Sequence, residues 1–124
     1  FSKIESIFNI IDEPEEWLKR RVSSLASDAS EKLGDRIDFS EEDVLANEEY
    51  CKAGYGVLTD TEREAVRLFA KFEGLLLVPV YTGRTAAGMI DLIRKAFFKK
   101  GETILFWHTG GQPALFAEKY ANEI

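Results

Sequence analysis

The residues Leu75-Leu76-Leu77-Val78-Pro79-Val80 run without a polar interruption and end on Tyr81-Thr82-Gly83-Arg84. A short apolar run with no alternation predicts a strand covered on both faces, as in a parallel sheet. Parallel strands need crossover connections, so helices are expected on either side of the run. Gly83 is read as giving the turn its conformational freedom, with Tyr81 and Thr82 where the strand ends. In an open α/β sheet, ligands bind just outside those carboxyl ends.

The rest of the chain fits that frame. Ile4 to Ile11 is β-branched enough for a strand, and Asp12-Glu13-Pro14-Glu15-Glu16 looks like a helix start capped by Asp12 or Glu13. Leu18, Val22, Leu25, Ala29 and Leu33 recur at helical spacing before a stop at Gly34. Beyond it, Ile37 and Phe39 alternate, Ser40-Glu41-Glu42 opens a turn of helix, and Val44-Leu45-Ala46 reads as a short strand. Thr59-Asp60-Thr61-Glu62 is a capping box, followed by an expected buried face of Ala65, Leu68, Phe69 and Phe72 and a stop at Gly74. After the opening run, a helix from about Arg84 to Ala96 is expected to turn Ala86, Met89, Ile90, Ile93 and Phe97 inward. Thr103-Ile104-Leu105-Phe106-Trp107 reads as a second buried strand ending in His108-Thr109-Gly110-Gly111, and Gln112-Pro113 opens a last helix. The alternation predicts an α/β chain built on an open, mostly parallel sheet.

Composition narrows the function. The 124 residues carry 16 Lys+Arg against 22 Asp+Glu, a net charge of −6, which argues against nucleic acid as a partner. No apolar run reaches membrane-spanning length. Cys51 is the only cysteine, so an internal disulfide is excluded and a reducing, cytoplasmic compartment is expected. The chain opens on Phe1 and its one methionine is Met89, which predicts a piece of a longer polypeptide.

Two expected strand tips, Tyr81-Thr82-Gly83 and His108-Thr109-Gly110-Gly111, fall at one sheet edge if the strands are parallel. Their hydroxyls and backbone N–H groups near helix starts suit a small molecule. Each also has a structural reading. A Thr-Gly-Gly step makes a tight turn, the lone His108 beside a buried strand reads as a satisfied structural histidine, and Tyr55 between Gly54 and Gly56 reads as a loop aromatic. No Ser/His or Cys/His triad, metal-ligand spacing, GxGxxG fingerprint or Walker loop is present.

Glu73-Gly74-Leu75-Leu76-Leu77-Val78-Pro79-Val80-Tyr81-Thr82-Gly83-Arg84, Gly88-Met89-Ile90-Asp91-Leu92-Ile93-Arg94-Lys95, Leu105-Phe106-Trp107-His108-Thr109-Gly110-Gly111 and Gly54-Tyr55-Gly56-Val57 stand in one register. Together they resemble the C-terminal part of the D-cysteine desulfhydrase and 1-aminocyclopropane-1-carboxylate deaminase family, from about Ile7 to Phe116. The resemblance implies a pyridoxal 5'-phosphate (PLP) enzyme of the tryptophan-synthase-β fold, with residues 1–124 as the C-terminal portion of the cofactor-binding domain. It implies that Tyr55 and Tyr81 are the active-site tyrosines facing the substrate. Thr82 and Gly110 are expected to line the cofactor, and Thr109 to stand beside the pyridine nitrogen. Thr82 and Thr109 match desulfhydrase-type members, whereas the deaminases carry glutamate and leucine there. A neutral hydroxyl at the ring nitrogen makes a weaker electron sink, which suits β-elimination of a good leaving group. The implied reaction converts D-cysteine to pyruvate, sulfide and ammonia.

The family's Schiff-base lysine and phosphate loop have no counterpart in these residues, Val78 stands where aspartate is usual, and Gln112 replaces a small residue. These residues alone are therefore expected to be inactive. The implied partners are a small amino-acid substrate, the N-terminal portion of the enzyme and further copies in a homo-oligomer. The competing expectation is a non-catalytic α/β domain that uses an exposed edge for self-association or a partner.

Overall fold

The computed structural model describes residues 7–9, 13–120 and 123. In chain order come strand β1 (Ile7–Asn9), helix α1 (Glu15–Lys32), strand β2 (Leu45–Asn47), helix α2 (Asp60–Glu73) and helix α3 (Thr82–Arg94). Single 3-10 turns lie at Glu41–Asp43, Glu49–Cys51 and Gln112–Phe116. β1 and β2 pair in parallel, with Ile7 opposite Leu45 and Asn9 opposite Asn47. A parallel pair needs a long crossover, and α1 lies between its strands in the sequence. The fold is mixed helix and strand.

Helix α1 starts one step later than expected. Pro14 is its N-cap, Asp12 lies outside the described residues, and Glu15 and Glu16 occupy the first turn, where the helix dipole favours acids. The expected apolar stripe is only partly realised, because Leu33 is 88% exposed and Leu25 is exposed too, while Ser23 and Ser27 are buried. The reason is the path of the following chain. Phe39 N–H donates to Ser27 Oγ at 2.9 Å and Ile37 N–H donates to Ser30 Oγ at 2.8 Å. An irregular segment must place its backbone donors somewhere, and here the serine face of α1 takes them.

Helices α2 and α3 pack together and make the core. The capping box at Thr59 and Glu62 forms as expected: Thr59 N–H donates to Glu62 Oε2 at 2.9 Å, and the Thr59 hydroxyl bonds the same oxygen. Gly74 closes α2 in the left-handed region at φ 66°. Ala65 and Val66 of α2 meet Ala86 and Ala87 of α3 and Leu77, with Phe69, Ile90 and Phe106 packed around them. The two faces are narrower than expected. Phe72, Ile93 and Phe97 are exposed, and small residues take the contact instead.

The sheet is where expectation and structure part. Leu77, Val78 and Val80 are buried as expected, but Leu75 and Leu76 are exposed and 79–81 is a turn. Segment 103–107 also carries no strand, with Leu105 and Trp107 exposed. A strand exists only with a hydrogen-bonded neighbour, and among the described residues β1 and β2 alone have one. The expected last helix is the 3-10 turn Gln112–Phe116, with Pro113 in its first positions. No described helix is long and apolar enough to cross a membrane.

Candidate active site

The tip after Val78 is closed by its own hydrogen bonds. Gly83 N–H donates to Val78 O at 2.7 Å, and Val78 N–H donates to Thr82 Oγ1 at 2.8 Å. Thr82 is only 2% exposed, so its side chain is enclosed beneath the tip. Gly83 is not in the left-handed region, contrary to the role expected for it. Space decides the residue: a Cβ there would lie 2.8 Å from Val78 O and 3.1 Å from a Val66 methyl.

Tyr81 is the N-cap of α3, and its carbonyl accepts from Thr85 N–H at 3.0 Å and Thr85 Oγ1 at 3.1 Å. Tyr81 as a whole is 45% exposed. Tyr55, 55% exposed, arrives from the 54–57 loop. Its hydroxyl lies 2.6 Å from the Tyr81 hydroxyl, and either can donate. The rings meet edge-on with centroids 6.1 Å apart.

The loop that carries Tyr55 is held by its carbonyls. Arg84, in the first turn of α3, donates from one terminal nitrogen to Gly54 O at 3.1 Å and Val57 O at 2.8 Å. Its Nε donates to Glu62 Oε1 at 3.1 Å, and the side chain has 0% exposure. Lys119 Nζ and the Tyr120 hydroxyl donate to Gly56 O at 2.7 and 3.2 Å. Burial pushes the Glu62 carboxyl up, but hydrogen bonds from Thr59, its own backbone and Arg84 outweigh it and hold the group below the usual carboxylate range.

The second tip lies against the first. His108 Nε2 is 3.4 Å from Leu76 O, and its Nδ1 accepts Gly110 N–H at 2.9 Å, so both ring nitrogens face backbone, as the structural reading of this histidine expected. Gly111, at φ 96°, packs on Val78 so closely that a Cβ would lie 2.8 Å from its methyl. The contacts His108 to Leu76 and Gly111 to Val78 follow the same order along both segments. The turn carrying exposed Thr109 and half-buried Gly110 therefore meets the first tip three residues before Tyr81.

Of the sequence-derived candidates, the structure joins Tyr55 and Tyr81 directly, encloses Thr82 behind them, and sets Thr109 and Gly110 on the adjoining turn. Sequence reasoning missed Arg84 and Glu62. One signal was available, because a cation in the first turn of a helix opposes the dipole and so asks for another reason to be there. Among the described residues no cluster of His, Cys, Asp and Glu could hold a metal ion.

Over most of its length the chain resembles proteins named 1-aminocyclopropane-1-carboxylate deaminase. It is 42% identical over 97 residues to the one from Methylobacterium nodulans, covering 78% of this chain and 29% of that protein. With the one from Methylobacterium sp. strain 4-46 it shares 45% over 84 residues, 68% of this chain and 25% of that protein. With the one from Rhizobium rhizogenes it shares 37% over 102 residues, 82% of this chain and 30% of that protein. The chain thus spans less than a third of the length of these curated relatives. No family model matches it.

Proposed function

We propose that these residues are the C-terminal portion of a PLP-dependent lyase of amino-acid metabolism, in the cytoplasm, and that they form one wall of its active site. The observation that carries the reading is the pair of exposed phenols, Tyr55 and Tyr81, meeting at 2.6 Å beside a threonine-glycine turn. The similarity to proteins named for deamination of a small amino acid supports the same class.

The groups present fit one side of a flat, aromatic cofactor. They offer two phenols, the exposed Thr109 and a glycine turn whose missing side chains permit close approach. Thr109 and Gly110 would hold the ring and Thr82 would support the tip beneath Tyr81, while the lysine and phosphate contacts come from outside these residues. When bound, PLP supplies the electron sink that loosens bonds at the α-carbon of an amino acid. The chain's own part is proton handling and orientation. A hydrogen bond between two phenols lets a proton given up by one be replaced through the other, which suits protonation of a departing thiolate. Thr109, an exposed hydroxyl where the deaminase branch carries leucine, favours D-cysteine as the substrate, which with water yields pyruvate, hydrogen sulfide and ammonia, and Thr82, enclosed beneath the tip, matches the same branch. The exposed Leu75, Leu76, Leu105 and Trp107 are then surface that the rest of the polypeptide, or a second copy, covers.

The full-length protein tests this directly. A yellow chromophore bleached by borohydride and sulfide release from D-cysteine, with 1-aminocyclopropane-1-carboxylate as the poorer substrate, are expected. A colourless protein that releases no sulfide sinks the reading, and faster turnover of the cyclopropane acid sinks its desulfhydrase part.

A further inference from the structure

Arg84 ties both tyrosine-bearing elements together. It stands three residues after Tyr81 in the first turn of α3, and its guanidinium grips Gly54 O and Val57 O on either side of Tyr55. Glu62 Oε1 fixes the remaining direction of the guanidinium plane through Nε, while Glu62 Oε2 is held by the capping threonine of α2. Stability alone is a poor account of this arrangement. A buried ion pair is weak evidence for stabilisation, and the second terminal nitrogen of Arg84 is buried with no hydrogen-bond partner among the described residues, which costs free energy. What the planar fork supplies is geometry: two carbonyls and a carboxylate held in fixed directions, which the single ammonium of a lysine does not reproduce.

We infer that Arg84 is a positioning residue that sets the distance between the Tyr55 and Tyr81 hydroxyls, with Glu62 orienting it. The inference rests on the active-site reading of the two tyrosines. It adds that the catalytic spacing is set from behind, by a residue that does not face the substrate.

The test uses the full-length protein with Arg84→Lys, Tyr55→Phe and the double variant. Arg84→Lys is expected to lower kcat about tenfold or more with KM moved less than about twofold, as misplacing an aligned group does. In the Tyr55→Phe background the same substitution is expected to cost less than about twofold, because the group it positions is gone. Chymotryptic cleavage after Tyr55 is expected to speed up about tenfold, while amide hydrogen exchange in the middle of α2 is unchanged. A full kcat cost that persists without the Tyr55 hydroxyl overturns the inference, and so does an unaltered rate of cleavage after Tyr55. The cleavage measurement decides the positioning role even if no lyase activity is found. Should Arg84→Lys not fold, Glu62→Gln carries the test. It offers one oxygen where Thr59 and Arg84 use two, so the same faster cleavage after Tyr55 is expected, and its absence overturns the inference.

Discussion

Tyr55 and Tyr81 meet hydroxyl to hydroxyl at 2.6 Å although 26 residues separate them, and one is on a loop while the other caps a helix. Such a contact between half-exposed side chains is held by its supports rather than by burial of the rings.

Removing either phenol tests whether they act as a unit. Tyr55→Phe and Tyr81→Phe in the full-length protein are each expected to lower kcat for sulfide release from D-cysteine by about 10²-fold. The double variant is expected to lose little more than the worse single, as groups acting together do. Steady-state kinetics of the four proteins checks this, and multiplying losses would show two independent roles.

Gly83→Ala places a Cβ 2.8 Å from Val78 O, with backbone on one side and Val66 on the other. Neither neighbour is a flexible side-chain end, so a loss of about 1–3 kcal/mol is expected from overpacking. Urea unfolding gives the value. An unchanged midpoint would mean that the tip relaxes at no cost.

Glu62 links stability to pH. Its carboxyl titrates in the fold below its ordinary value of 4.5, so its contribution is complete above that value and is lost as pH falls through the folded one. Thermal midpoints measured from about pH 5 down to about pH 3 are expected to fall more steeply for the native protein than for Glu62→Gln, which has no carboxylate to protonate. Parallel curves would assign acid sensitivity to other groups.

Ser27→Ala deletes the acceptor of Phe39 N–H, a bond of 2.9 Å on a partly buried path. The orphaned donor is expected to cost about 1–3 kcal/mol. Ser23 Oγ donates only to Arg20 O of its own helix, so Ser23→Ala is expected to cost less. Denaturation of the two variants side by side measures the difference.

The helices were the legible part of this chain, because their signals are local. The capping box at Thr59 and Glu62 and the stop at Gly74 fix α2 within a residue of its expected span. The strands at 75–80 and 103–107 were not legible as observed, since an apolar run shows that a segment can pair but not that a partner is present. The serine face of α1 was missed for a related reason: Leu25 and Leu33 keep helical spacing, yet what crosses the helix is a polar backbone that needs hydroxyls. At the site, Tyr81 was legible from the apolar run that ends on it and Tyr55 from the family resemblance, whereas Arg84 was not, because its partners lie 22 to 30 residues away.

All four named anchors of the 54–57 loop end on carbonyl oxygens: Arg84 on Gly54 and Val57, Lys119 and Tyr120 on Gly56. None of these bonds uses a loop side chain. These four bonds do not depend on the side chain at position 55, so a different functional group could be installed there without removing any of them. Tyr55 is in that sense an interchangeable tool in a fixed holder, and the natural place to begin if the chemistry at this wall is to be redirected.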